Sequence, residues 1–148
     1  MEDPLVSLYA ALLDQWEDAG AIVPATADIR FSTGWYDKDL DTPQITVTEL
    51  STLDRPLDMG YGTIEVDAVY QIDIWVTISR ATGAGPQLAK EYKWAMRQEV
   101  KRILKANLTG LGGTKLMILN DTGRSLDELD VDPPLLRFSQ MVGVIYDI

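Results

Sequence analysis

The stretch "GTIEVDAVYQIDIWVTISR", residues 62–80, decides the fold. Apolar side chains occupy every second position from Ile64 to Ile78, and most positions between them are polar. This period of two predicts a β-strand with one apolar face. Unbroken, the strand would span roughly 50 Å at about 3.3 Å per residue, although typical strands hold about five or six residues. The apolar face of so long a strand must be covered, and this need points toward assembly rather than catalysis.

The chain before this strand begins with a helical pattern. Asp3 is placed to cap a helix, Pro4 suits its first position and Gly20 its end. The apolar side chains at helical spacing are Leu5, Leu8, Tyr9, Leu12, Leu13 and Trp16. We then expect a short strand at Asp28–Phe31 and a second strand at Gln44–Leu50, which is rich in β-branched residues. Residues 51–62 read as a turn-rich connection or the tip of a long hairpin.

The period changes to 3.6 after the long strand. Glycines and Pro86 break the strand, and residues 87–107 then predict a helix whose apolar positions recur every three or four residues. "LTGLGG" ends that helix. Residues 114–121 predict a strand, residues 122–134 an acidic loop, and residues 135–148 a last strand. The order α-β-β-β-α-β-β predicts one α+β domain over residues 1–148, with a single mixed or antiparallel sheet of four to five strands and two helices packed on one face.

Composition excludes several classes of function. The 148 residues include no cysteine and no histidine, which removes thiolate nucleophiles, zinc–thiolate sites and imidazole bases. Neither glycine-rich segment has the pattern of a phosphate-binding loop. We therefore expect no enzyme and no cofactor. No apolar run is long enough for a membrane helix, and the acidic N-terminus is unlike a signal peptide, so we expect synthesis inside the cell and no membrane partner.

Two acidic motifs are candidates for cation binding. Asp37, Asp39 and Asp41 alternate as in a calcium loop, but Thr42 and Thr48 stand where an EF-hand needs glycine and glutamate. This motif therefore predicts a solvated turn. The acidic loop Asp127–Asp132, which includes Glu128 and Asp130, could bind a divalent cation, face a basic partner or be a solvated loop.

The second predicted helix is basic in an acidic chain. Six cations and two carboxylates give residues 90–105 a charge of +4, whereas the whole chain carries −10 and the remainder −14. Lys90, Lys93, Arg97 and Lys101 line one face. This face is either the solvent side of an amphipathic helix or an electrostatic surface for an acidic neighbour, such as another copy of the chain. The net charge opposes nucleic acid, so we expect no sequence-specific nucleic-acid partner.

Trp75 interrupts the polar face of the long strand. It is either buried within its own sheet or part of a subunit contact, because exposed aromatic side chains are enriched at interfaces. The candidate interface residues are Tyr70, Trp75, Lys90, Lys93, Arg97 and Lys101.

The order of these segments resembles the tail terminator and neck proteins of long-tailed bacterial and archaeal viruses. The segments that carry the resemblance, separated by a Gly/Pro break, are "SLYAALLDQW", "YQIDIWVTISR", "EYKWAMRQEVKRILKAN", "TKLMILND" and "LLRFSQMVGVIYDI". The likeness covers nearly the whole chain and rests on order more than on identity. The acidic loop and the high overall acidity depart from it, which leaves open whether any surface of the protein faces DNA.

The resemblance implies a structural virion protein that forms a ring, usually hexameric, at the tail or neck. Such a ring caps the tail tube and joins it to the head connector or portal adaptor, after synthesis in the host cytoplasm. It implies no catalytic residues. A neighbouring subunit would then cover the apolar face of the long strand. The alternatives are a head-completion or portal adaptor protein, or a small metal- or ligand-binding enzyme that uses Asp37, Asp39 or Asp130.

Overall fold

The elements follow the predicted order. The computed structural model describes residues 3–17, 24, 28–38, 42–56, 62, 64–78, 86–108, 111, 114–129 and 134–147, apart from the side chains of residues 86 and 116–122. Within these residues the helices and strands are α1 Pro4–Asp14, β1 Arg30–Ser32, β2 Gln44–Pro56, β3 Ile64–Thr77, α2 Pro86–Ala106, β4 Lys115–Ser125 and β5 Leu135–Asp147.

The five strands of the described residues form one mixed sheet in the order β1-β2-β3-β5-β4. β1 and β2 pair in parallel, and the other neighbours pair antiparallel. Both helices pack on the face that carries the even-numbered side chains of β3. The predicted α+β fold with two helices on one face of the sheet is confirmed. We call this helix-covered face the inner face and the opposite one the outer face.

The apolar face of β3 is an internal surface of the chain. Its even-numbered side chains from Val66 to Val76 are at most 2% exposed, and they pack against Leu8 and Leu12 of α1 and Met96 of α2, among others. β5 pairs with β3 along almost its full length, so β3 does not overhang the sheet. The expectation that a neighbouring subunit covers this face is therefore wrong, because the chain's own helices do so.

β2 is longer than predicted. It continues from Leu50 to Pro56, with an irregularity in its pairing to β3 between Glu49 and Ser51. Residues 49–56 are all exposed, so they show no apolar alternation from which a strand could be predicted. β1 pairs only with Gln44–Thr46, so within the described residues the far part of β2 forms an open edge of the sheet.

The bounds of two other elements also differ from the prediction. β4 continues past Asp121 to Ser125, through a polar segment whose composition predicted a loop. Helix α1 ends at Asp14 rather than near Gly20, although Asp3 caps its start as predicted, by accepting a hydrogen bond from the backbone N–H of Leu5 at 3.0 Å.

Candidate interaction surface on helix α2

Helix α2 divides cleanly into an apolar and a basic side. The side chains that face the sheet are Ala89, Met96, Val100, Ile103 and Leu104, and none is more than 1% exposed. Burial of each large side chain stabilises the fold by about 1.5–3 kcal/mol. The remaining positions carry the cations. Packing therefore fixes which way the basic side of α2 points, and the four predicted basic residues differ in what they contact there.

Lys90 and Lys93 lie in neighbouring turns of α2 but differ in environment. Lys90 is exposed. Lys93 lies against the loop after β4, where its Nζ contacts Asp127 Oδ1 at 2.7 Å. Asp127 also accepts a hydrogen bond from the backbone N–H of Arg137 at 3.1 Å. One residue of the predicted acidic loop therefore holds the β4–β5 connection to α2.

Arg97 lies between two aromatic rings. The centre of its guanidinium is 4.5 Å from the ring centroid of Phe138 on β5 and 5.7 Å from that of Trp94, one turn earlier on α2. Such contacts favour a cation electrostatically, more so where water is excluded. Its Nε is buried and has no hydrogen-bond partner among the described residues. The guanidinium thus keeps donor capacity that the described part of the chain does not use.

These residues surround a cleft of about 260 Å³ between α2 and the strand ends of β4 and β5. Its lining comprises Lys90, Lys93, Trp94, Arg97, Ser125, Asp127 and Leu136. The lining carries three cations and one carboxylate, and Trp94 at its margin is 60% exposed. We call this feature the basic cleft. Cationic, aromatic and apolar groups in one concave site suit a ligand with carboxylates and some apolar surface.

The cations further along α2 have separate roles. Burial lowers the pKa of Lys101, and the positive charges of Arg97 and Lys105 lower it further. Arg102 instead contacts the Glu99 carboxylate, which raises the pKa of the arginine, and donates to the backbone oxygen of Gln15 at 2.6 Å. Arg102 thus connects α2 to the end of α1. Lys101, in contrast, lies close to two other positive charges.

Tyr70 lies in the core rather than at a surface. It is 2% exposed on the inner face of β3, and burial raises the pKa of its hydroxyl, with a further contribution from Glu49. Tyr70 belongs to the core that the two helices and the sheet form within one chain. Its side chain therefore offers almost no surface to a neighbouring subunit.

Trp75 is buried on the outer face, only 3% exposed. Its ring stacks on Tyr36 with centroids 4.8 Å apart, meets Trp35 edge-on at 5.4 Å, and its Nε1 donates to Thr46 Oγ1 at 3.0 Å. The guanidinium of Arg137 lies 4.4 Å from the same ring. Of the two interpretations of Trp75, burial within its own sheet is correct.

Sequence reasoning missed several of these residues. Trp94 has a visible signal, because it is an aromatic residue beside Lys93 on the basic side of α2. Arg137 and Leu136 have none, since their positions depend on the register between β3 and β5. Asp127 belongs to the acidic run Asp127–Asp132, but its partner Lys93 lies 34 positions earlier in the chain, so the sequence does not indicate the pair.

The candidate cation motifs receive no support from the described residues. No group of three or more potential metal ligands occurs among them. Asp37 is described, and its backbone N–H donates to Gln44 Oε1 at 2.9 Å. Asp39, Asp41, Asp130 and Asp132 lie outside the described residues. Neither helix of the described residues has the length and apolar character that a membrane span requires.

Comparison with known proteins gives one kind of match. No protein-family model matches the sequence, and no curated protein matches it. Among solved structures, the chain is similar to the sheath/tube terminator of an extracellular contractile injection system, PVC, in its extended state, determined by cryo-EM. The identity is 13% and the TM-score 0.47, over 97% of this chain and 56% of that one. This chain therefore spans little more than half the length of that terminator.

Proposed function

We propose that this chain is a structural subunit that assembles with copies of itself into a ring at the end of a virus tail. The ring caps the tail tube and presents a surface to the head connector, with a hexamer as the expected size. The observation that carries the proposal is the basic cleft. A chain of net charge −10 gathers cations and a 60%-exposed tryptophan around an open concave site on one helix.

A second copy of the chain can supply the negative charge that the basic cleft lacks. Outside residues 90–105 the chain carries −14, so copies attract where the basic side of α2 meets the acidic remainder of a neighbour. Tryptophan and arginine are the side chains that most often dominate the energy of an interface. A tail setting is supported by the resemblance in element order, and the structure has that order.

The mass of the purified protein in solution tests assembly directly. Light scattering behind a sizing column should give a discrete multiple of 16.5 kDa, and electron microscopy of that fraction should show rings with a central opening. The measurement should be made at low salt and at about 0.1–0.15 M salt, where the Debye length of about 8–10 Å screens the long-range repulsion between acidic copies but spares close ion pairs.

A tube-capping experiment tests the tail setting. The protein is added to a polymerising tail-tube protein from the same source, and tube length is measured by electron microscopy. We expect shorter tubes with a ring at one end. A chain that stays monomeric at protein concentrations up to about 100 µM, where micromolar contacts are populated, and that leaves tube length unchanged, would contradict the proposed function.

A further inference from the structure

We propose that the basic cleft of one copy receives the far edge of β2, residues 49–56, from a second copy, in a head-to-tail contact. This inference rests on the proposed self-assembly and deepens it by naming the two surfaces that meet. It commits to a second copy of this chain as the occupant of the cleft. We call residues 49–56 the acidic edge.

The basic cleft is incomplete in a single chain. Asp127 contacts Lys93, but neither Lys90 nor Arg97 forms an ion pair among the described residues. The buried Nε of Arg97 has no acceptor there, although such a group ordinarily finds one. Burial lowers the pKa of Lys101, and the charge of Arg97 lowers it further, so these two cations lie close together. Carboxylates from outside would pair with Lys90 and with the part of Arg97 that lines the cleft.

The acidic edge offers the complementary groups. Glu49 and Asp54 form no ion pair in the part of the chain that the structure describes. Arg55, the cation of this edge, forms an ion pair with Asp67 at 2.9 Å. Within the edge, Glu49 accepts a hydrogen bond from the hydroxyl of Thr52. Burial raises the pKa of Tyr146, and the negative charges of Glu49, Asp3 and Asp54 raise it further, so these carboxylates lie at the same end of the sheet.

The acidic edge also carries apolar surface and open backbone. Leu50 is 48% and Leu53 55% exposed, the two most exposed large apolar side chains of the strands that are described. Because β1 stops pairing at Thr46, the outer backbone of this part of β2 lacks a neighbouring strand among the described residues. An open edge with exposed leucines is a surface that proteins usually cover. In the proposed contact, Trp94 beside the cleft of the other copy can cover these leucines.

The two surfaces lie too far apart for one chain to satisfy itself. The cleft lies over Phe138, which pairs with Ile74, whereas Asp54 pairs with Val66 at the other end of β3. Val66 is eight residues along β3 from Ile74, or about 27 Å at about 3.4 Å per residue, and Tyr70, the partner of Glu49, is four residues or about 14 Å from it. The contact must therefore join two copies through unlike surfaces, and such a contact closes into a ring when its rotation allows.

Two variants, each with one surface disabled, test this pairing. The cleft variant is Lys90→Gln with Trp94→Ala, and the edge variant is Glu49→Lys with Asp54→Lys. All four side chains are exposed, so both variants should fold, which circular dichroism and thermal melting will check. Lys38→Gln matches the charge change of the cleft variant, and Asp14→Lys with Asp28→Lys matches that of the edge variant. All three side chains are exposed and lie outside both surfaces.

Sedimentation velocity then measures self-association of each variant alone and of an equal mixture. Each variant alone should associate about tenfold or more weakly than the wild type, because it loses central contacts of the interface. The mixture should form a 1:1 dimer that grows no further. In the mixture, the intact cleft of the edge variant binds the intact edge of the cleft variant. The disabled cleft still carries Lys93 and Arg97, which repel the lysines of the disabled edge, so no second contact forms. The controls should associate like the wild type.

The outcomes separate this inference from the proposed function. If the wild type forms rings and either variant also forms rings, the proposed pairing of cleft and edge is wrong. The proposed function is then not contradicted. Two monomeric variants whose mixture stays monomeric show that both surfaces matter but do not meet, which also overturns the pairing. Wild type that remains monomeric overturns the pairing, and it contradicts the proposed function as well when tube length is also unchanged.

Discussion

Arg137 donates from Nε and Nη2 to the same carboxylate oxygen of Asp73, each at 3.2 Å. Asp73 is completely buried on the outer face of β3, and the Arg137 side chain is 15% exposed. Gln71 Nε2 donates to the other oxygen at 2.8 Å, and the guanidinium also lies over Trp75. This charged pair therefore lies on the outer face, opposite the part of the inner face that α2 covers.

Asp73→Ala should lower the free energy of unfolding by about 3 kcal/mol, because it leaves a largely buried arginine without its carboxylate. Urea denaturation measures the loss. Asp67→Ala is the matched control on the same face, since its ion pair with Arg55 is partly solvated and should contribute about 1 kcal/mol or less. Equal losses in the two variants would show that the Asp73 pair adds nothing beyond a surface pair.

Tyr70 should make the fold sensitive to alkaline pH. Burial, aided by Glu49, raises the pKa of its hydroxyl above the ordinary value of 10.0, so the unfolded chain loses this proton first. Above about pH 10 the folded state binds more protons than the unfolded state, and stability falls as pH rises, by roughly 1 kcal/mol at pH 10.5. Tyr70→Phe should remove this part of the decline.

Urea denaturation at pH 8 and pH 10.5 compares the wild type with Tyr70→Phe. Tyr9→Phe serves as the control, because it removes a hydroxyl from a half-buried tyrosine on α1. If the wild type and Tyr70→Phe lose the same stability between the two pH values, the hydroxyl of Tyr70 titrates normally in the folded chain.

Gln15 and Asn107 join the ends of the two helices by a reciprocal amide pair. Gln15 Nε2 donates to Asn107 Oδ1 at 3.2 Å, and Asn107 Nδ2 donates to Gln15 Oε1 at 2.8 Å. A double-mutant cycle with alanine at both positions should give a coupling energy of about 1 kcal/mol, as for neutral hydrogen bonds in a partly buried setting. The exposed pair Gln87 and Glu91 should give about 0.3 kcal/mol. Strict additivity at Gln15 and Asn107 would mean that the two helices dock without help from this pair.

Divalent cations should leave the melting temperature unchanged. A specific ligand at about 100 times its Kd adds about 2.7 kcal/mol of stability, which a thermal melt detects readily. Millimolar calcium or magnesium, compared with an EDTA-treated sample at equal ionic strength, is the measurement. A specific rise in melting temperature would favour the alternative of a metal-binding protein that uses the acidic motifs.

The order and type of the elements could be predicted from the sequence because hydrophobic periodicity is local. Alternation from Ile64 to Ile78 predicted β3 and its buried face, and the 3.6-residue spacing after Pro86 predicted α2 and its basic side. The same signal failed for residues 51–56 of β2. Both faces of that segment meet solvent, so no alternation marks it as a strand.

Tertiary structure alone decided which surfaces remained open. The sequence showed that the apolar face of β3 needed a cover, but only packing showed that the chain's own helices provide it. Register between β3 and β5 places Arg137 opposite Trp75, and the loop after β4 places Asp127 beside Lys93. Periodicity records which way a side chain points, whereas its partner depends on contacts between segments far apart in the chain. For that reason the basic side of α2 was evident from the sequence, and the cleft beside it was not.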